Sequence, residues 1–201
     1  MTMTTTLAAP YAPLPNPRRR LFSRTDCEEI EKTGVLSLPY ELIEGEIIEA
    51  MPYHRPHAYT LMELTIRMIQ LFGAEFVQSQ MPMEIMGEDA VHNFPIPDLV
   101  LLKQSFRTLP YTHPQASDMK LLVEVSDSTL ASDLTTKARL FARAGVPLYW
   151  IIDVNERRLF ALSEPEEGEY TRREEIAETG TILIEGGSES LSIASLFPPK
   201  P

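Results

Sequence analysis

The chain has 201 residues, 43% hydrophobic and 23% charged, a composition that excludes disordered and fibrous classes and allows one well-filled core. No apolar run approaches the roughly 18 residues of a bilayer span, and the single cysteine, Cys27, rules out an intramolecular disulfide and suits a reducing cytoplasm. A net charge of −11 argues against a protein that coats nucleic acid by electrostatics alone.

That charge is uneven: residues 163–190 hold nine Glu against two Arg, a net of −7 that leaves −4 for the remainder. Residues 1–24 are rich in Thr, Ala and Pro, include Arg18-Arg19-Arg20, and read as a mobile arm before a single domain over 25–201. The arm lacks the continuous apolar stretch of a secretory signal, and its prolines resist the amphipathic helix of a transit peptide.

Residues 25–34 read as a short helix capped by Thr25 or Asp26 and closed at Gly34. In YELIEGEIIEAMP, two β-rich runs flank Glu44-Gly45, which predicts a hairpin. Over 57–72, Leu61, Thr65, Met68, Ile69 and Phe72 form one helical stripe, with Gly73 as the stop. Residues 76–85 alternate like a strand with one polar face. A loop over 86–96 leads to Asp98 and an apolar strand, Leu99 to Leu102. Residues 120–126 form a strand buried on both faces, 133–144 a helix capped by Ser132 or Asp133 and ended at Gly145, and 148–153 a third buried strand. Strand, helix and strand with short connections make a βαβ unit, so the last two strands are expected to be parallel. Two or three antiparallel strands around RLFALS, EYTRRE and TILIEG complete the chain.

Glu124 stands inside Leu121-Leu122-Val123-Glu124-Val125, where an unpaired carboxylate would lose several kcal/mol of hydration. It survives there if it pairs with a cation such as an arginine, binds a metal ion, or emerges at the strand's end. Asp98 alone is ordinary turn chemistry after Pro97, but an acid on a second buried strand would converge with Glu124 on one hard cation such as Mg²⁺. Lys137 shares the inward stripe with Leu140, Phe141 and Ala144, which aims it at the strand end that bears Glu124. There it would stabilise developing phosphoryl charge; an i,i+4 pair with Asp133 is the plainer reading. His57 at a helix start and Glu46 after the hairpin glycine are equally readable as structural residues. Phosphate-binding loops, dinucleotide fingerprints, HExxH and nucleophile elbows are all missing.

Taken together, YELIEGEIIE, His57, FPIPDLVLL and LLVEVSDSTLASDLTTKARLFARAGVPLYWIID resemble the Uma family of restriction-endonuclease-like proteins, within the PD-(D/E)XK nuclease superfamily. The resemblance covers roughly residues 37–165. It implies an α/β, restriction-endonuclease-like core of order α-β-β-β-α-β, with an N-terminal β-hairpin and C-terminal antiparallel strands. It also implies Asp98 and Glu124 as the paired acids, with Glu46 and His57 as further site residues; in the expected metal site the peptide carbonyl of Val125 would be an added ligand. The superfamily lysine stands two residues after the second acid; Ser126 occupies that place, and the lysine role moves to Lys137. The expected function is Mg²⁺- or Mn²⁺-dependent hydrolysis of DNA phosphodiester bonds by a cytoplasmic homodimer. The alternatives are a DNA-binding or protein-interaction module that keeps the fold without the chemistry, and a metal-dependent hydrolase of another substrate.

Overall fold

The computed structural model describes residues 20–49, 54–110, 112–184 and 189–200. Most of the predicted arm, residues 1–19, lies outside them. The first helix, α1 (Arg24–Lys32), starts one residue earlier than expected because Ser23 is its cap: the Ser23 hydroxyl accepts from the Asp26 N–H, and Asp26 accepts from the Ser23 N–H in return. The hairpin forms as predicted from β1 (Tyr40–Ile43) and β2 (Glu46–Glu49), with Glu44 at φ 50° and Gly45 at φ 78°. Its odd positions, Glu41 and Ile43, face away from Tyr40 and Leu42, which pack with Cys27 of α1.

Helix α2 (Arg55–Phe72) begins two residues before the predicted start, with Pro56 in its first turn. Its buried stripe is His57, Thr60, Leu61, Leu64 and Met68, whereas Ile69 of the predicted stripe is exposed. The predicted strand over 76–85 shrinks to β3 (Val77–Ser79). Gln80 at φ 54° turns the chain out of the strand, and Pro82 has no N–H to extend a ladder.

Strands β4 (Leu99–Leu102), β5 (Met119–Ser126) and β6 (Leu148–Asp153) form the centre of a six-stranded mixed sheet of order β3-β4-β5-β6-β7-β8, completed by β7 (Arg158–Glu166) and β8 (Glu169–Ala177). Only β5–β6 is parallel, as the βαβ reading requires. The expected TILIEG strand forms as β9 (Thr181–Leu183) but leaves this sheet, pairing with β10 (Ser190–Ser192) in a separate hairpin.

Between β5 and β6 the helical segment starts at Leu130, before the expected cap at Ser132 or Asp133. It runs as α3 (Leu130–Ser132), a π turn over Asp133–Lys137, and α4 (Ala138–Ala144), closed by Gly145 at φ 81°. The Asp133 side chain turns inward to other partners and so is not available as a cap.

Alternation divides the core into two layers. Leu99, Leu101, Leu121, Val123 and Trp150 pack against Leu61, Leu64 and Met68 of α2. Val100, Leu102, Leu122, Tyr149 and Ile151 pack against Leu140 and Phe141 of α4. No helix among the described residues is long and apolar enough to cross a membrane. Leu64 is wholly buried between α2 and the sheet, so Leu64→Ala is expected to remove about 2–5 kcal/mol of unfolding free energy, read as a lower urea midpoint at unchanged slope.

Candidate active site

The antiparallel register of β4 and β5 pairs Leu99 with Val123, which sets Asp98, just before β4, beside Glu124 on the face that α4 covers. The backbone N–H of Val125 donates to Asp98 Oδ2 at 2.8 Å, and the Asp98 N–H points to Glu124 Oε2 at 3.4 Å. His57 Nε2, on the first turn of α2, lies 3.2 Å from the same Asp98 oxygen. Lys137 enters from the π turn: its Nζ donates to Glu124 Oε1 at 2.9 Å. Four of the expected side chains, Asp98, Glu124, Lys137 and His57, are therefore joined in one buried cluster, with Val125 tied in through its N–H.

A further acid completes it. Lys137 Nζ also donates to both oxygens of Glu41, at 3.1 and 2.8 Å, and the Ile96 N–H fixes Glu41 Oε1 at 2.8 Å. Glu41 was not among the sequence candidates. The available signal was local: in Glu41-Leu42-Ile43 an acid shares a strand face with a residue that is buried. Glu46 stands exposed on β2 opposite Ile43, on the hairpin face that carries Glu41 but one step nearer the turn. The predicted i,i+4 alternative for Lys137 is not what forms, since its ion pairs are to Glu124 and Glu41.

Charge is badly balanced here. Two carboxylates, Glu124 and Glu41, share one ammonium, a third, Asp98, lies beside Glu124, and Glu124 is only 4% exposed. Burial pushes the Glu124 carboxyl well above its usual range; Lys137 opposes this, while Asp98, Glu41 and Asp133 add to it. Burial also works to discharge Lys137, but the carboxylates of Glu124, Glu41 and Asp133 outweigh it and hold the ammonium above its ordinary value. The site thus keeps its lysine charged and remains short of positive charge. Among the described residues no group of three or more His, Cys, Asp or Glu side chains converges as a ready-made metal cage.

Glu124 links the stability of the fold to pH. Folding favours the protonated carboxyl, so its contribution is complete below the unfolded-state value near pH 4.3 and is lost as pH rises through the folded-state value. Glu124→Gln, always neutral, is expected to match the native protein near pH 4 and to exceed its stability at pH 8 in chelator. A simple structural ion pair would behave oppositely, with loss of one partner costing about 3–5 kcal/mol. Thermal denaturation of both proteins across that range separates the two cases.

The chain matches the Uma2 family, described as "Putative restriction endonuclease", over residues 35–194. Its fold is similar to the crystal structure of "a putative nuclease belonging to DUF820" from Anabaena variabilis ATCC 29413. The TM-score is 0.60 at 18% identity, over 85% of this chain and 96% of that one. A search of curated proteins found no match. With the family pattern running through the hairpin, the central sheet and the π turn, this chain belongs to the Uma2 family.

Proposed function

We propose that this protein is a metal-dependent endodeoxyribonuclease with a restriction-endonuclease-like core, hydrolysing phosphodiester bonds in DNA. The observation that carries the reading is the buried Asp98–Glu124 pair, which together with Glu41 leaves a surplus of negative charge around Lys137. A divalent cation fits that surplus, and the donors on offer are hard oxygens suited to Mg²⁺ or Mn²⁺ with water filling the remaining positions. Asp98 and Glu124 would hold the ion, with the Val125 carbonyl as a further ligand. When bound it would supply Lewis acidity for the phosphoryl group and for the attacking water.

The chain's own residues have distinct tasks around it. The Val125 N–H and His57 Nε2 both engage Asp98 Oδ2, which fixes the rotation of that carboxylate. Lys137 carries the positive charge that would stabilise the pentavalent phosphorus as negative charge develops. Glu41 holds the ammonium as a second partner beside Glu124, so that Lys137 keeps its proton and its position. Glu46, exposed beside this face, is assigned to the substrate side of the site. Cutting both strands with one such site per chain calls for two copies, so the acting unit is proposed to be a homodimer.

Asp98→Ala and Glu124→Ala are each expected to abolish Mg²⁺-dependent DNA cleavage and to remove Mn²⁺ binding measured by calorimetry, with the circular dichroism spectrum retained. Wild-type cleavage by both variants would sink the assignment. Calorimetry that detects no Mg²⁺ or Mn²⁺ on the native protein would point instead to a fold that has kept its shape without the chemistry.

A further inference from the structure

The π turn that bears Lys137 is held by an anchor of its own. A turn with i→i+5 bonding in the middle of a helix is a rare arrangement, met mostly as a single turn and frequently at functional sites. Here the support converges on one residue, Asp133, at the start of the turn and 2% exposed. Its Oδ2 accepts from the hydroxyls of Ser126 and Thr129, both at 2.6 Å. Its backbone carbonyl accepts from the buried Tyr149 hydroxyl at 3.3 Å. Burial holds that phenol well above its usual range, so it stays a donor.

Two of the three donors belong to the sheet, and the third stands at the start of the helical segment itself. Ser126 ends β5 on the same face as Glu124, two residues away, and its carbonyl accepts the Val154 N–H at 3.1 Å just past β6. Tyr149 lies in β6 with its ring edge-on to Phe141 of α4, centroids 5.0 Å apart. Thr129 precedes α3, and its carbonyl takes the Asp133 N–H at 3.0 Å. Closing the π turn to an ordinary α turn would rotate Lys137 by about one residue's step, roughly 100°, relative to α3. The hold on Asp133 and the aim of Lys137 are therefore coupled.

We propose that Asp133 is a positioning residue: anchored by Ser126, Thr129 and Tyr149, it fixes the π turn that carries Lys137 into the carboxylate cluster. The proposal rests on the nuclease reading above and deepens it. Ser126 occupies the place where the wider superfamily pattern has its lysine, and its hydroxyl instead secures the helix that delivers the lysine from elsewhere. What matters in Asp133 is the acceptor oxygen, because two hydroxyls meet on it; an amide oxygen serves the same geometry.

The test compares Asp133→Asn, Asp133→Ala and Ser126→Ala in the full chain, with two independent readouts. One is Mg²⁺-dependent cleavage of a DNA duplex, as kcat and KM. The other is the ammonium resonance of Lys137 in ¹⁵N-lysine-labelled protein, assigned by its loss in Lys137→Arg. Asp133→Ala is expected to lower kcat by about a hundredfold at unchanged KM, the scale of an ångström-sized misplacement of a catalytic group, and to shift or erase the resonance. Ser126→Ala is expected to move both in the same direction, and it decides the matter if Asp133→Ala does not fold. Asp133→Asn is expected to keep kcat near the native value and the Lys137 resonance visible, moved only by the loss of the Asp133 charge. A folded Asp133→Ala or Ser126→Ala with native resonance and rate overturns the proposal, and so does an Asp133→Asn protein that behaves like Asp133→Ala. If the native protein cuts no DNA while the resonance responds as described, the nuclease reading fails and the positioning role stands.

Discussion

The ammonium of Lys137, shared between Glu124 and Glu41, is the contact around which the rest of the molecule is arranged. It joins three separately folded pieces: the middle of the sheet, the helical segment that leaves it, and a hairpin outside the sheet. Such a buried ionic cluster contributes little net stability, since desolvating its members offsets most of their attraction. The neighbouring contacts hold the hairpin in place instead. Leu42 and Phe94 exchange backbone hydrogen bonds at 3.2 and 2.7 Å, and Gly45 donates to the His92 carbonyl at 2.8 Å. Arg143, two turns beyond Lys137 on α4, reaches Asp89 at 2.9 Å and also pairs with Glu44 at the hairpin turn. One helix thus grips the hairpin twice, once inside through Lys137 and once at the surface through Arg143.

The acidity of the chain takes on a different meaning once its location is known. Much of the C-terminal excess falls on β7, β8 and the turn between them, where β8 is an exposed edge strand of the sheet. Charged side chains there discourage edge-to-edge pairing with other molecules. Several are paired locally, as Arg158 with Asp153 and Glu175 and Arg172 with Glu174. A net negative total is therefore compatible with a site that meets a polyanion elsewhere on the surface. The negative charge on which the proposed chemistry rests is the small buried excess beside Lys137.

Much of the architecture was readable in the chain because its signals are local. The Glu44-Gly45 turn, the Gly145 stop and the uninterrupted apolar runs of β4, β5 and β6 each express a conformational or burial demand within a few residues. Glu124 and Lys137 stand out on the same grounds, an acid inside an apolar strand and a lysine on an inward stripe, whereas Asp98 is ordinary turn chemistry until it is set beside Glu124. The errors arose where the backbone leaves the regular pattern or a distant partner sets the outcome. The strand over 76–85 ends early because Gln80 turns out of line, and the stripe of α2 is rotated so that His57 and Leu64 face inward and Ile69 does not. Glu41 escaped notice because an acid in a short hairpin is ordinary until a lysine 96 residues away is packed against it.

The paired acids met at the outset thus belong to two levels of explanation. That Glu124 is a carboxylate needing a partner follows from the sequence, since burying a carboxylate in an apolar strand has the same physical consequence in any fold. That Asp98 stands opposite Glu124 depends on the β4–β5 register, and that Lys137 reaches both Glu124 and Glu41 depends on a π turn and on the docking of a hairpin. Those are long-range contacts, and their geometry is settled only when the whole core closes around them.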